Sequence, residues 1–239
     1  MNNQNYLQRC GALLIAILVT SALLTNAHSS EINLALNKQH ELTESTKLSS
    51  AKYNLDPKDV IFIFADLHPD LIATSNTMSP DALAKNAGGL AKVAHAISAP
   101  SLFLTVPRNG KPGELIKELK PYANNENTIY RLNADPFQVN EIVDAIKKTN
   151  RKTIIVSGYT AEVAVTLTAL GGLRNGYNIY IPVDCIGNRS LRTEQAALAR
   201  AEQAGAVVTS LASVAAQLAP DFSKEPGTTI LSVILDAQL

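Results

Sequence analysis

Val60-Ile61-Phe62-Ile63-Phe64-Ala65 is six apolar residues in a row, closed by Asp66-Leu67-His68-Pro69-Asp70. A half-buried strand alternates apolar and polar side chains. An unbroken apolar run this short reads instead as a strand covered on both faces. Such strands belong to parallel sheets layered between helices. The run therefore predicts an α/β protein and makes its first strand the centre of the sheet.

Outward from that run the chain alternates. Pro80 to Ser98 reads as a helix, with Ser79 as N-cap and Pro in the first turn. Leu83, Ala87, Leu90, Ala94 and Ile97 fall on one face of it. Ser101 to Val106 is a second strand, Gly113 to Lys120 a short helix and Thr128 to Leu132 a third strand. Pro136 to Lys148 is a helix capped by Asp135, and Thr153 to Ser157 a fourth strand. Thr160 to Leu173 is a helix of small and β-branched residues, which marks it as buried. Asn178 to Val183 (strand), Leu191 to Ala204 (helix), Val207 to Thr209 (strand) and Ser213 to Leu218 (helix) complete the series. The expected fold is a Rossmann-like three-layer α/β/α domain with a six-stranded parallel sheet in the order 3-2-1-4-5-6. In such a sheet the ligand lies at the carboxyl ends of strands 1 and 4.

The flanks differ in texture. Residues 1–27 have a polar start with Arg9 as the only charge, then an apolar run from Gly11, then Thr25-Asn26-Ala27. This is the three-part pattern of a secretory signal, cleaved after Ala27. Its apolar part is about 15 residues, short of the ~20 a spanning helix needs, so no stable membrane anchor is expected after cleavage. The expected destination is the periplasm or the exterior. Residues 28–57 are polar and read as a linker or arm; residues 58–222 form the domain; 223–239 form a C-terminal tail, whose apolar part from Thr228 to Leu235 reads as an extra strand or a docking segment.

Composition narrows the function classes. Lys+Arg and Asp+Glu are 21 each, which leaves no basic surplus for nucleic acid. Removing the signal takes away Arg9 and Cys10, so the mature chain carries 20 basic against 21 acidic residues and a single cysteine, Cys185. No internal disulfide is then possible. Neither a metal nor a cofactor is expected: Asp70, His68 and His95 do not form a close His pair at ligand spacing.

Two segments at the switch point carry the chemistry. Asp66 ends a buried strand, where loss of water raises a carboxyl pKa and suits it to acid or base work, although capping the next turn is an equally valid role. Ser157-Gly158 ends the fourth strand and a helix follows at once, so its first N–H groups face the pocket and suit an anion or oxyanion.

These segments resemble the isochorismatase-like (cysteine hydrolase) superfamily, which includes nicotinamidases and carbamoylsarcosine amidases. The likeness runs from about Val60 to Asp221. It rests on Phe62-Ile63-Phe64-Ala65-Asp66, Pro100 to Thr105, Asn133-Ala134-Asp135-Pro136-Phe137, Ile154 to Val165, Gly176 to Asp184 and Ala204-Gly205-Ala206-Val207, in that order. The resemblance implies a catalytic Asp at Asp66 and a cation at Arg131, where the family has Lys. It places the nucleophile at Ala164, where the family has Cys. It also implies a non-proline cis peptide at Tyr159–Thr160, oxyanion donors at the N–H groups of Thr160 and Ala164, and substrate contacts from His68, Tyr159, Thr160 and Asn133. An alanine methyl cannot attack a carbonyl, so the acyl-enzyme route is closed. The expected activity is non-covalent acid/base chemistry at Asp66 on a small molecule. The alternative is an inactive homologue that binds a small molecule or forms oligomers. Cys185, beside Asp184, reads as a small buried hydrophobe rather than a substitute nucleophile.

Overall fold

The computed structural model describes residues 36–39 and 54–238, and the chain divides into two units near residue 50. In the first unit, residues 36–39 are helical. The signal segment and most of the arm lie outside the described residues. The sheet and its covering helices all belong to the second unit.

The central run is strand β1 (Val60–Ala65), every residue of it buried. Ser79 accepts a bond from the Ala82 N–H and starts helix α1 (Pro80–Ala96). Then come β2 (Ser101–Thr105), β3 (Thr128–Tyr130), α2 (Asn140–Lys148), β4 (Thr153–Tyr159) and α3 (Thr166–Arg174). The chain continues through β5 (Asn178–Pro182), α4 (Leu191–Gln203), β6 (Val207–Thr209), α5 (Leu211–Leu218) and α6 (Gly227–Asp236). The sheet order is β3-β2-β1-β4-β5-β6, all parallel, with a two-residue strand at Ile186–Gly187 added beside the end of β4. This is the expected 3-2-1-4-5-6 order with one short supplementary strand.

The alternation of β1 explains its composition. Val60, Phe62 and Phe64 face one core, with α1, α5 and α6 over it; Ile61 and Ile63 face the other, under α2 and α3. Phe64 stacks on Phe103 at 5.1 Å between ring centroids. With both faces covered, a polar residue at any of these positions would be buried without a partner.

Several local expectations shift. Gly113 to Lys120 forms turns and only a short 3₁₀ piece at Lys120–Tyr122. Gly113 is tied to the Val106 carbonyl and Ile116 to the Leu67 carbonyl, so this stretch braces the sheet edge instead of coiling. The helix after β3 starts as a 3₁₀ turn, Pro136–Gln138, capped by Asp135, and becomes α2 only at Asn140. The tail is a helix, not a strand. Ile230 and Val233 of α6 join the core, and Asn86 of α1 bonds both Gln238 backbone groups, at 2.7 and 2.8 Å. Among the described residues no helix is long and apolar enough to cross a membrane.

Candidate active site

β1 and β4 pair in register, Ala65 against Gly158, so their carboxyl ends lie side by side. The approach is close: a Cβ on Gly158 would stand 2.7 Å from the Ala65 carbonyl oxygen. Asp66 follows at φ 60, a left-handed conformation uncommon for a residue with a side chain. Its N–H still bonds the Leu104 carbonyl as a strand would, while its own carbonyl accepts the His68 N–H at 2.9 Å. The chain turns sharply there and leaves the carboxyl at the edge of the sheet.

Arg131 meets that carboxyl. Its N–H bonds the Thr105 carbonyl just past β3, and its Nη2 donates to Asp66 Oδ2 at 2.6 Å. Nη1 donates to the Asn133 and Ala134 carbonyls. Both side chains are buried, at 3% and 6% exposure for the two residues. Burial pushes the Asp66 carboxyl up to about 6, although Arg131 beside it pulls the other way. Among the described residues, Asp66 Oδ1 and Arg131 Nε have no partner. The pair thus holds one acid oxygen and one donor uncommitted, and most of the guanidinium is already spent. Arg131 as a clamp for an anionic substrate fits poorly with this arrangement.

β4 ends at Tyr159, and the Tyr159–Thr160 peptide is cis. The expected helix from Thr160 is interrupted at its start: Ala161–Val165 is a π-helical turn, and α-helix begins at Thr166. The Thr160 carbonyl accepts both the Val163 and Val165 N–H groups. Such wide turns recur at functional sites. Ala164 lies within this turn, buried, with its carbonyl held by the Thr168 hydroxyl at 2.6 Å.

The remaining expected contacts fall differently. His68 is fully buried, and both ring nitrogens are occupied: Nδ1 lies 2.7 Å from the Glu114 carbonyl, and Nε2 accepts the Val106 N–H at 3.3 Å. Those partners fix a neutral imidazole with its proton on Nδ1. Burial accordingly lowers its pKa. His68 is a brace and offers no nitrogen to a ligand. Asn133 turns its side-chain oxygen to the Asp135 N–H, an Asx turn, and contributes to the site only through its carbonyl. Tyr159 is buried and its hydroxyl lies 2.7 Å from Thr74 Oγ1. Cys185 is fully buried, with Sγ 3.6 Å from the Asn86 carbonyl and its thiol pKa pushed up by burial. That is the hydrophobe reading. His95 packs its ring against Tyr122, and no cluster of metal-binding side chains occurs among the described residues.

Sequence reasoning missed the partners of His68. One signal was present: Gly113, where a Cβ would stand 2.7 Å from the imidazole. Pairing a glycine with a buried ring 45 positions away needs the fold first.

Known proteins share this architecture. The isochorismatase domain matches residues 60–213. The probable hydrolase YcaC of Escherichia coli is 27% identical over 172 residues, covering 72% of this chain and 83% of that protein. Its crystal structure, described as an octameric hydrolase of unknown specificity, superposes with a TM-score of 0.72 at 25% identity, over 77% of this chain and 90% of that one. YcaC from Pseudomonas aeruginosa, solved with hexane-2,5-diol and covalent acrylamide, gives 0.72 at 26% identity, over 77% and 91%. A shorter match, 27% identical over 81 residues, is the secreted isochorismatase effector Isc1 of Verticillium dahliae, covering 34% of this chain and 42% of that protein. With a matched domain spanning most of the folded unit and a fold that superposes on those of its relatives, the chain belongs to the isochorismatase family.

Proposed function

We propose that this protein is an exported member of the family that takes a small molecule at the carboxyl ends of β1 and β4 and acts on it by non-covalent acid chemistry at Asp66. The observation that carries this reading is the buried Asp66–Arg131 pair, whose Oδ1 has no partner among the described residues while Oδ2 is held. With a carboxyl pKa near 6, a protonated fraction exists at mildly acidic pH. On a vinyl ether that proton passes from Asp66 to the terminal vinyl carbon, water adds to the oxocarbenium carbon so formed, and the resulting hemiketal releases the alcohol. The same water returns a proton to the carboxylate, which Arg131 stabilises in the interval. Ala164 leaves no nucleophile for an acyl-enzyme. The backbone N–H groups of Thr160 and Ala164 keep a place for a developing oxyanion.

A second reading, a binding protein that has lost turnover, is favoured by Ala164 itself. Export rests on the N-terminal pattern of residues 1–27. Self-association is part of the proposal: Tyr130, Leu132, Val163, Val183 and Leu191 are exposed near the carboxyl edge, and a relative is an octamer.

The test compares parent, Asp66→Ala and Ala164→Cys on vinyl ethers and amides. Turnover by the parent that Asp66→Ala abolishes supports acid catalysis. An inert parent, with amide hydrolysis appearing only in Ala164→Cys, establishes the disabled-hydrolase reading instead.

A further inference from the structure

A cavity of about 580 Å³ opens at the amino-terminal edge of the sheet, opposite the Asp66 site. Pro57 and Lys58 lead into β1 and Arg151 leads into β4, so the cavity and Asp66 stand about a strand length apart, roughly 20 Å. Its volume is within the ordinary range of small-molecule sites.

The walls are of two kinds. Ile97, Leu218, Pro220 and Pro226 supply apolar surface where α1 and α5 end and α6 begins. Three cations reach the cavity: Lys58, Arg151 and Lys224. Lys224 is paired with Asp221 at 3.0 Å, and Glu225 bonds the Thr228 hydroxyl. Arg151 is different. Its Nη1 donates to the Pro57 carbonyl at 3.1 Å, and the half-buried guanidinium has no acidic partner among the described residues. Lys58 has none either. With Asp221 and Glu225 the only acids in the lining, the balance is one surplus positive charge.

The size of that surplus and the helix ends together select the ligand. The carbonyl ends of α1 and α5 point negative partial charge toward this edge and the amino end of α6 offsets only one of them, so the net helix field opposes a dianion such as phosphate more than a single charge. A single, delocalised negative charge facing the planar edge of Arg151 suits the site, and the apolar walls call for a hydrocarbon body. We propose that this cavity binds an amphipathic monocarboxylate, with its carboxylate on Arg151 and Lys58 and its hydrocarbon part against Ile97, Leu218 and Pro226.

Calorimetric titration of the full chain with octanoate, 1-octanol and inorganic phosphate tests it. Octanoate should bind at least about tenfold more tightly than 1-octanol, and phosphate not measurably. Arg151→Gln and, separately, Lys58→Gln should each weaken octanoate and leave 1-octanol unchanged. Because the 1-octanol comparison uses unaltered protein, a variant that folds badly does not rescue the idea. Equal affinity for acid and alcohol, or a preference for phosphate, overturns it. So does loss of octanoate binding in Asp66→Ala with Arg151→Gln unaffected, which would move the ligand to the other edge. The proposal does not depend on turnover at Asp66, so an inert parent leaves it standing.

Discussion

Asp66 and His68 are two residues apart, both buried, and titrate in opposite senses. Burial holds the Asp66 carboxyl at about 6, against 3.8 in the open chain. Between those values the folded protein keeps a proton that the unfolded chain has released. Stability therefore falls as pH rises through that window, by about 3 kcal/mol. Subtracting the stability curve of Asp66→Asn from that of the parent should reveal this slope; a flat difference between pH 4 and 6 would refute it. Arg131 works against the shift, so Arg131→Gln should move the Asp66 midpoint above 6, as read by carboxyl carbon NMR. A downward move would mean that Arg131 does not govern the acid. His68 is buried neutral and its pKa is lowered. Below about 6.5 the unfolded chain takes up a proton that the folded ring refuses, so this residue costs stability as pH falls. His68→Ala should also destabilise by about 2–4 kcal/mol, because it empties a packed position and strands the Glu114 carbonyl and Val106 N–H. Chemical denaturation measures it; a change under 1 kcal/mol would show that water replaces the ring without penalty.

At the scale of elements, glycines mark where two pieces of backbone must touch. A methyl at Gly158 would meet the Ala65 carbonyl at 2.7 Å, between the two strands that carry the site. Gly171 of α3 marks a different contact, helix backbone against a side chain: a Cβ there would stand 2.6 Å from the Phe137 ring. Gly158→Ala should cost about 1–3 kcal/mol and impair ligand binding at Asp66. Gly171→Ala should cost a similar amount and leave that site unchanged. Equal effects on binding would mean that the β1–β4 contact does not set the site geometry. The elements themselves were largely legible. β1 could be read from Val60 to Ala65 because burial on both faces leaves a continuous apolar run, and Ser79 and Asp135 announced the starts that they cap. The π turn at Ala161–Val165 was not legible, since its residues suit an α-helix equally well. Gly113 to Lys120 misled for a related reason. Its apolar Leu115, Ile116 and Leu119 are spaced like a helix face, but they are buried by the core through a turn whose hydrogen bonds go to Leu67 and Val106. Asp66 was found from its place after a buried strand. Its pairing with Arg131 came only by resemblance, because nothing local links residues 65 positions apart.

For the molecule as a whole, the disposition of apolar surface sets the last expectation. Eight large apolar side chains are exposed among the described residues, and five of them lie at or just past the carboxyl ends of β3, β4 and β5 or open α4: Tyr130, Leu132, Val163, Val183 and Leu191. Scattered exposed side chains need no explanation, but a concentration at one edge marks a contact surface. If copies of the chain meet at this edge, charge placed there should part them without unfolding either. Leu132, at 79% exposure, and Leu191, at 60%, contribute little to the core of a single copy. The double variant Leu132→Asp, Leu191→Asp should therefore keep the parent's circular dichroism spectrum. Its mass by light scattering should fall to that of one chain, while the parent is a multiple of it. A monomeric parent would remove self-association from the proposed function, and a double variant that stays assembled would place the contact on another face.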